Sequence, residues 1–304
     1  MRTLQYAVDV GGTKVAFALV EGSRLLARSH FPTADLTAAQ QLAQVGRALR
    51  AMARRHGRTA GAIGLSVPGP VLGGVLRHAP NMPAGWSGES VASFGRALGL
   101  DVPVFAQRDA LMGGLGEFAH GAGQDLSNFA YLTLGTGIGG GLILGGQPLL
   151  GAQGAASEIG HLQVSRRGPP CGCGRRGCVE AIASGPAIAR RYQAAGGAPL
   201  TPAQIAERAR AGEALARSVY RTAGEALGAA LAAWAQVANP EAVIVGGSLA
   251  RSLDLLSPAM TRSLVRRAWA ANLPLPVLPA ALGEDAPLIG AAWLAETASA
   301  GTPA

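Results

Sequence analysis

The sequence predicts an α/β fold in which a β-rich start followed by an αβα run occurs twice. Three observations carry this: short apolar runs that end in glycine turns, amphipathic stretches at helical spacing between them, and the return of the same element order in the second half. With 304 residues, of which 49% are hydrophobic and 14% charged, the chain can fill one large core or two moderate ones.

In order, "LQYAVDV" is a short apolar run that stops at the turn "GGTK"; "VAFALVE" continues as a second strand and "RLLARSHF" as a third, the pattern of a β-meander. "TAAQQLAQVGRALRAMARRHG" opens with a threonine, carries apolar residues at helical spacing and stops at Gly57, as a capped amphipathic helix does. "AIGLSVPG" and "VPVFAQRD" read as buried strands, separated by a loop containing "NMPAGW" and a helix near Val91 to Leu98. In the second half "NFAYLTLGTGIGGGLILGG" supplies two strands around a glycine turn. A cysteine loop, several alanine-rich helices between Val179 and Val237, the strand "AVIVGGSLA", and a last strand and helix follow. No repeat is visible in the letters themselves, so the duplication rests on element order, and two similar lobes imply a cleft between them. The long helical stretch up to Gln236 reads as core or subunit interface.

Composition sets the cellular context. There is no basic-then-apolar leader and no apolar run of roughly 18 residues, so secretion and membrane spanning are not expected and the cytoplasm is. The net charge is +8, yet the arginines are spread along the chain as a solvated surface, and no nucleic-acid partner is expected. All but one of the 26 basic residues are arginine; the exception, Lys14, lies inside "DVGGTK", where a compact ammonium suits a phosphate. The three cysteines all fall in "CGCGRRGCVE", and in a reducing compartment they point to metal binding or nucleophilic chemistry, with metal favoured.

Three glycine loops each follow a predicted strand: "DVGGTK" (Asp9 to Lys14), "LGTGIGGG" (Leu134 to Gly141) and "VGGS" (Val245 to Ser248). Glycine lets backbone amides approach an anion, and two loops carry a threonine hydroxyl. None has the Gly-Lys-Ser/Thr ending of a P-loop or the spaced dinucleotide fingerprint, so a nucleotide site here is of another type.

Together with "EIGH" (Glu158 to His161), "CGCGRRGCVEA" (Cys171 to Ala181) and "VIVGGSL", these loops resemble the ROK family of bacterial sugar kinases and related repressors, in the actin-like ATPase superfamily. The likeness runs from Asp9 to about Trp293, and its most specific part is the cysteine motif with its upstream histidine. The resemblance implies two actin-like (ribonuclease H-like) ββαβα domains with ATP and sugar in the cleft between them, and a homodimer. The smaller domain is expected at 1–117, with a C-terminal helix at about 286–304 packing back on it. The larger is expected at 118–285, with a zinc loop at 161–180.

The resemblance also assigns residues. His161 with Cys171, Cys173 and Cys178 offers one imidazole and three thiolates, a set suited to closed, structural Zn²⁺. Zinc then fixes the tautomer of His161, whose other ring nitrogen faces a sugar hydroxyl, and the loop brings Glu180 to the same pocket. Asp109 maps onto the catalytic base, the alternative being a helix cap. Sugar hydroxyls are expected at Asn81, Asp109, Glu158, His161 and Glu180, and Mg²⁺ is oriented by Asp9 through water. Gly11, Gly12, Thr13 and Lys14, with Gly135, Thr136 and Gly137, are expected to cradle the phosphates of ATP, and Gly246 and Gly247 to pass under the adenosine.

One departure stands out. The family commonly reads Asn-Asp-Ala-Asn at the base, where this chain has Arg108-Asp109-Ala110-Leu111. Arginine there replaces the asparagine as a donor, reaches an anionic substituent, or points away, and a cation beside the base lowers its pKa. The expected activity is an ATP-dependent hexose 6-kinase, glucose first. N-acetylmannosamine, N-acetylglucosamine and fructose are alternative substrates, and polyphosphate an alternative donor. A sugar-responsive repressor is disfavoured because the first glycine-turn strand begins by about Leu4, leaving no helix-turn-helix domain expected ahead of it. A catalytically silent sugar-binding protein is the remaining alternative.

Overall fold

The computed structural model describes residues 3–33, 36–79 and 82–301. By its internal contacts the chain divides into two compact units, one of Met1–Asp125, Gly141–Ala156 and Ala281–Ala304, the other of Leu126–Gly140 and Ser157–Ala280.

In the first unit β1 (Leu4–Val10), β2 (Lys14–Glu21) and β3 (Arg24–Pro32) form the meander read from the sequence, each pair antiparallel. Helix α1 (Ala38–His56) follows. Thr37 caps its first turn reciprocally with Gln40, and Gly57 ends it in the left-handed conformation. Then come β4 (Ile63–Val67), a small hairpin of β5 (Val71–Leu72) and β6 (Val75–Leu76), α2 (Val91–Leu98), β7 (Val104–Arg108) and α3 (Asp109–His120). The sheet runs β3-β2-β1-β4-β7, with β4 parallel to both β1 and β7. All five residues of β4 are buried, as a central strand covered on both faces requires. Val8, Phe17, Leu42, Leu49, Leu65 and Trp86 fill the core.

The second half supplies β8 (Phe129–Leu134), β9 (Ile138–Leu144) and β10 (Gln147–Pro148). After the cysteine loop come α4 (Val179–Ala183), α5 (Gly185–Ala194), α6 (Pro202–Arg210), α7 (Ala214–Ala238), β11 (Ala242–Gly246), α8 (Leu253–Arg267), β12 (Val277–Pro279) and α9 (Ala286–Ser299). This sheet runs β10-β9-β8-β11-β12, with β11 parallel to β8 and β12. With strands numbered by chain order within each sheet, both sheets read 3-2-1-4-5. The duplication is therefore present in the topology, although the letters do not show it. Helix α9 belongs to the first unit and packs on α3, β1 and β4; a side chain at Gly290 would run into the Met112 carbonyl of α3, so the two helices touch at backbone distance. Among the described residues no helix is long and apolar enough to cross a membrane.

Candidate functional site

The turn between β1 and β2 holds the first group of expected residues. The Gly11 amide donates to the Lys14 carbonyl at 2.9 Å and closes the turn. Thr33 braces it from β3's end: its hydroxyl donates to the Gly11 carbonyl at 2.6 Å and its amide to the Thr13 carbonyl at 3.0 Å. Lys14 pairs with Glu284 at 3.4 Å, both about half exposed. Asp9, next to last in β1, accepts a 2.6 Å hydrogen bond from the hydroxyl of Ser66, itself fully buried. Burial pushes the Asp9 carboxyl above the ordinary range, and the Ser66 bond, then the charges of Lys14 and Arg28, oppose that rise. Thr33, Ser66 and Glu284 carried no sequence signal, because each reaches the turn from a distant segment.

Asp109 is the first residue of α3 and exposed, directly beyond the carboxyl end of β7. Its Oδ1 accepts the Ala110 amide at 2.7 Å, while the cap position itself is Arg108. Arg108 is 3% exposed, and its guanidinium donates to the Ala156 carbonyl. Leu111 is fully buried. The departure from the family's motif thus places a buried cation next in sequence to the expected base and commits a donor of that cation to the backbone. Further along α3, the fully buried Glu117 accepts from three amides: Ala122 at 2.8 Å, Ala281 at 3.0 Å and Leu282 at 2.8 Å. Sequence reading did not single it out.

Asn81 lies outside the described residues. Glu158, exposed, precedes a single 3-10 turn, Ile159–His161, and His161 ends it. His161, Cys171, Cys173 and Cys178 come together, their ligand atoms all within 4.8 Å of one another. Nδ1 of His161 lies 3.7 Å from Cys171 Sγ, and Cys173 Sγ lies 3.7 Å from Cys178 Sγ. Tetrahedral zinc with Zn–S bonds of about 2.3 Å sets its sulfurs about 3.8 Å apart, so the spacing and the donor set both fit that ion. The amide of Arg175 and then its side chain hold the Cys173 thiol down at about 6, so one ligand is ready to ionise, while burial pushes Cys178 up to about 12. The loop is knitted by its own backbone, with Cys171 N–H to Arg175 O at 2.8 Å and Gly177 N–H to Pro169 O at 2.8 Å.

Cys178 leads directly into α4, and Glu180 in its first turn turns toward the glycine loop: Oε2 accepts the Ile138 amide at 2.9 Å. A Cβ at Gly137 would lie 2.8 Å from that oxygen, so a side chain there would displace the Glu180 carboxylate from this bond. The loop closes on itself through Gly135 N–H to Gly137 O at 3.0 Å, and Thr136 at its tip is exposed. From Gly135 and Thr136 a cavity of about 530 Å³ extends between Pro186, Pro202, Ala206 and Leu249. Gly246 is buried against Tyr131, and Gly247, at φ 84°, turns over the Leu134 carbonyl.

The chain matches the family model described as ROK family over residues 5–298. It is 36% identical over 296 residues to the kanosamine kinase of Amycolatopsis mediterranei, with 97% of this chain and 96% of that protein covered. To the glucokinase of Thermotoga maritima it is 32% identical over 305 residues, covering 94% and 95%. The solved structure of a ROK family glucokinase from Streptomyces griseus in complex with glucose and AMPPNP aligns with a TM-score of 0.84 at 32% identity, over 97% of this chain and 99% of that one.

Proposed function

This chain belongs to the ROK family, and on that premise we propose that it is a glucokinase, transferring the γ-phosphoryl group of Mg-ATP to the 6-hydroxyl of a hexose. It is a sugar kinase, a phosphotransferase of the hexokinase type. The observation that carries the chemical reading is Asp109, an exposed carboxylate at the start of α3, just past the end of β7.

In this reading the Asp109 carboxylate takes the proton of the 6-hydroxyl as that oxygen attacks the γ-phosphorus and the bond to the β-γ bridging oxygen breaks, leaving ADP. Most of the barrier is lowered by positioning and charge neutralisation. Gly11, Gly12, Thr13 and Lys14, with Gly135, Thr136 and Gly137, bind the phosphates; Asp9 orients the magnesium of Mg-ATP through water. The cavity beyond Thr136 takes the nucleoside, with Gly246 and Gly247 beneath it. Asn81, Asp109, Glu158, His161 and Glu180 read the sugar hydroxyls, because a carboxylate or imidazole accepts a hydroxyl proton at defined geometry. His161, Cys171, Cys173 and Cys178 hold a structural zinc, which when bound fixes the ring of His161 through Nδ1 and leaves Nε2 for the sugar. A homodimer is part of the proposal.

A second reading is a hexosamine kinase, favoured by the kanosamine kinase relative. Glucose is kept first because the Thermotoga maritima relative and the Streptomyces griseus structure are both glucokinases. ADP release from Mg-ATP over glucose, mannose, fructose, N-acetylglucosamine, N-acetylmannosamine and kanosamine tests this. Glucose turnover supports the proposal; turnover on another sugar alone reassigns the substrate; none on any sugar leaves a silent binder.

A further inference from the structure

A cavity of about 280 Å³ lies against the cysteine loop, lined among others by Ser165, Arg167, Arg191, Glu225 and Arg267. It borders the segment between His161 and Cys171, the helix α4 that carries Glu180, the middle of α7, and the C-terminal ends of α5 and α8. It shares no residue with the cavity beyond Thr136.

Its charge is unbalanced. Arg167, Arg191 and Arg267 have no acidic partner among the described residues, whereas Arg58 and Arg210 elsewhere on the surface pair with Glu21 and Asp254. The one carboxylate at the rim, Glu225, lies 3.9 Å from Arg221 one helical turn away. Arg267 is also held in place: its Nε donates at 3.3 Å to Ser263 Oγ, a hydroxyl 1% exposed that itself donates to the Glu225 carbonyl at 2.8 Å. The three arginines, each exposed, line one concave surface, and their planar forks match the oxygens of a phosphate two at a time. The volume is below the roughly 300–1,000 Å³ of sites for drug-sized ligands, which selects a small anion over a nucleotide.

We propose that this cavity is a second binding site, for a phosphate dianion, either free phosphate or a small phosphomonoester. Its occupant braces the zinc loop from outside. The segment it touches is bonded to the residue before Cys178, through Val164 N–H to Gly177 O at 2.9 Å and Gly177 N–H to Pro169 O at 2.8 Å. The site therefore bears on the orientation of the loop between His161 and Glu180 without belonging to the phosphoryl-transfer machinery.

The test is calorimetric titration of inorganic phosphate into the zinc-loaded full chain at low salt, with Mg-AMPPNP present in excess. The expected result is saturable binding of about one phosphate per chain, weakened roughly tenfold or more in Arg191→Gln and in Arg267→Gln and unchanged in Arg58→Gln. Zinc content and circular dichroism of each variant establish that it is folded, and two independent variants guard against the loss of one. A parallel titration with glycerol 3-phosphate separates the sources: tighter binding than inorganic phosphate identifies a phosphomonoester, equal binding the free ion. No saturable binding, or binding in both arginine variants as tight as in wild type, would overturn the proposal. None of these readouts depends on kinase turnover.

Discussion

The amide of Ile138 donates to Oε2 of Glu180 at 2.9 Å. A carboxylate two residues past the last cysteine, in the first turn of α4, is thereby tied to the backbone of the glycine loop proposed to hold phosphate. Glutamine keeps an acceptor for Ile138, whereas alanine removes it.

Glu180→Gln is accordingly expected to raise the KM for sugar on the order of 10-fold with little change in the KM for Mg-ATP, since a hydrogen bond to a charged group contributes roughly 1.5–3 kcal/mol. Glu180→Ala is expected to raise both. Steady-state kinetics of the two variants check this; equal effects of both on sugar alone would show that the Ile138 bond does not matter to the nucleotide.

The full chain should contain one zinc, measured by elemental analysis, and Cys178→Ser should contain none. A chelator is expected to lower the melting temperature and to raise the sugar KM by roughly 10-fold or more through the freed His161 ring. Metal-free protein with wild-type stability would remove zinc from the account.

Burial raises the pKa of Asp9, so ionising it opposes folding: its neutral form is favoured at low pH, and that stabilisation is lost as pH rises through the folded pKa. The proposed role of Asp9 toward magnesium uses the ionised form. The expected outcome is an acid limb in log kcat/KM for Mg-ATP with its midpoint above the ordinary Asp value of about 3.9. Ser66→Ala removes the bond that lowers this pKa and is expected to move the midpoint higher still. A midpoint unmoved by that substitution would separate Asp9 from the limb.

Glu117→Ala leaves the amides of Ala122, Ala281 and Leu282 without their partner. The three amides are part-buried, so the loss expected for each is at the low end of about 1–3 kcal/mol, read as a drop in denaturation midpoint. Glu117→Gln keeps an acceptor and is expected to lie between the two. An unchanged midpoint for alanine would show that water replaces the carboxylate.

Much of the fold was legible because its signals are local. The meander, α1 with its threonine cap and Gly57 stop, and α2 over Val91–Leu98 follow from periodicity and capping alone. The hairpin of β5 and β6 was not read, since two-residue strands leave no period. The cysteine cluster was legible from spacing once His161 was added by family resemblance. What the sequence hid are contacts between distant segments: Thr33 on Gly11, Ser66 on Asp9, Glu117 on Leu282 and Glu180 on Ile138. Arg108 shows the same limit. Its position signalled a departure, but only the fold pairs it with the Ala156 carbonyl.

The central claim is that Asp109 takes the proton of the attacking sugar hydroxyl, and the most direct measurement is kcat for ADP release by wild type and Asp109→Asn on the preferred sugar. General-base catalysis contributes about 10²–10⁴-fold, so kcat is expected to fall by that order while zinc content and AMPPNP binding stay at wild-type levels. A variant that retains kcat within a few-fold would contradict the assignment and move the search for the base to another carboxylate.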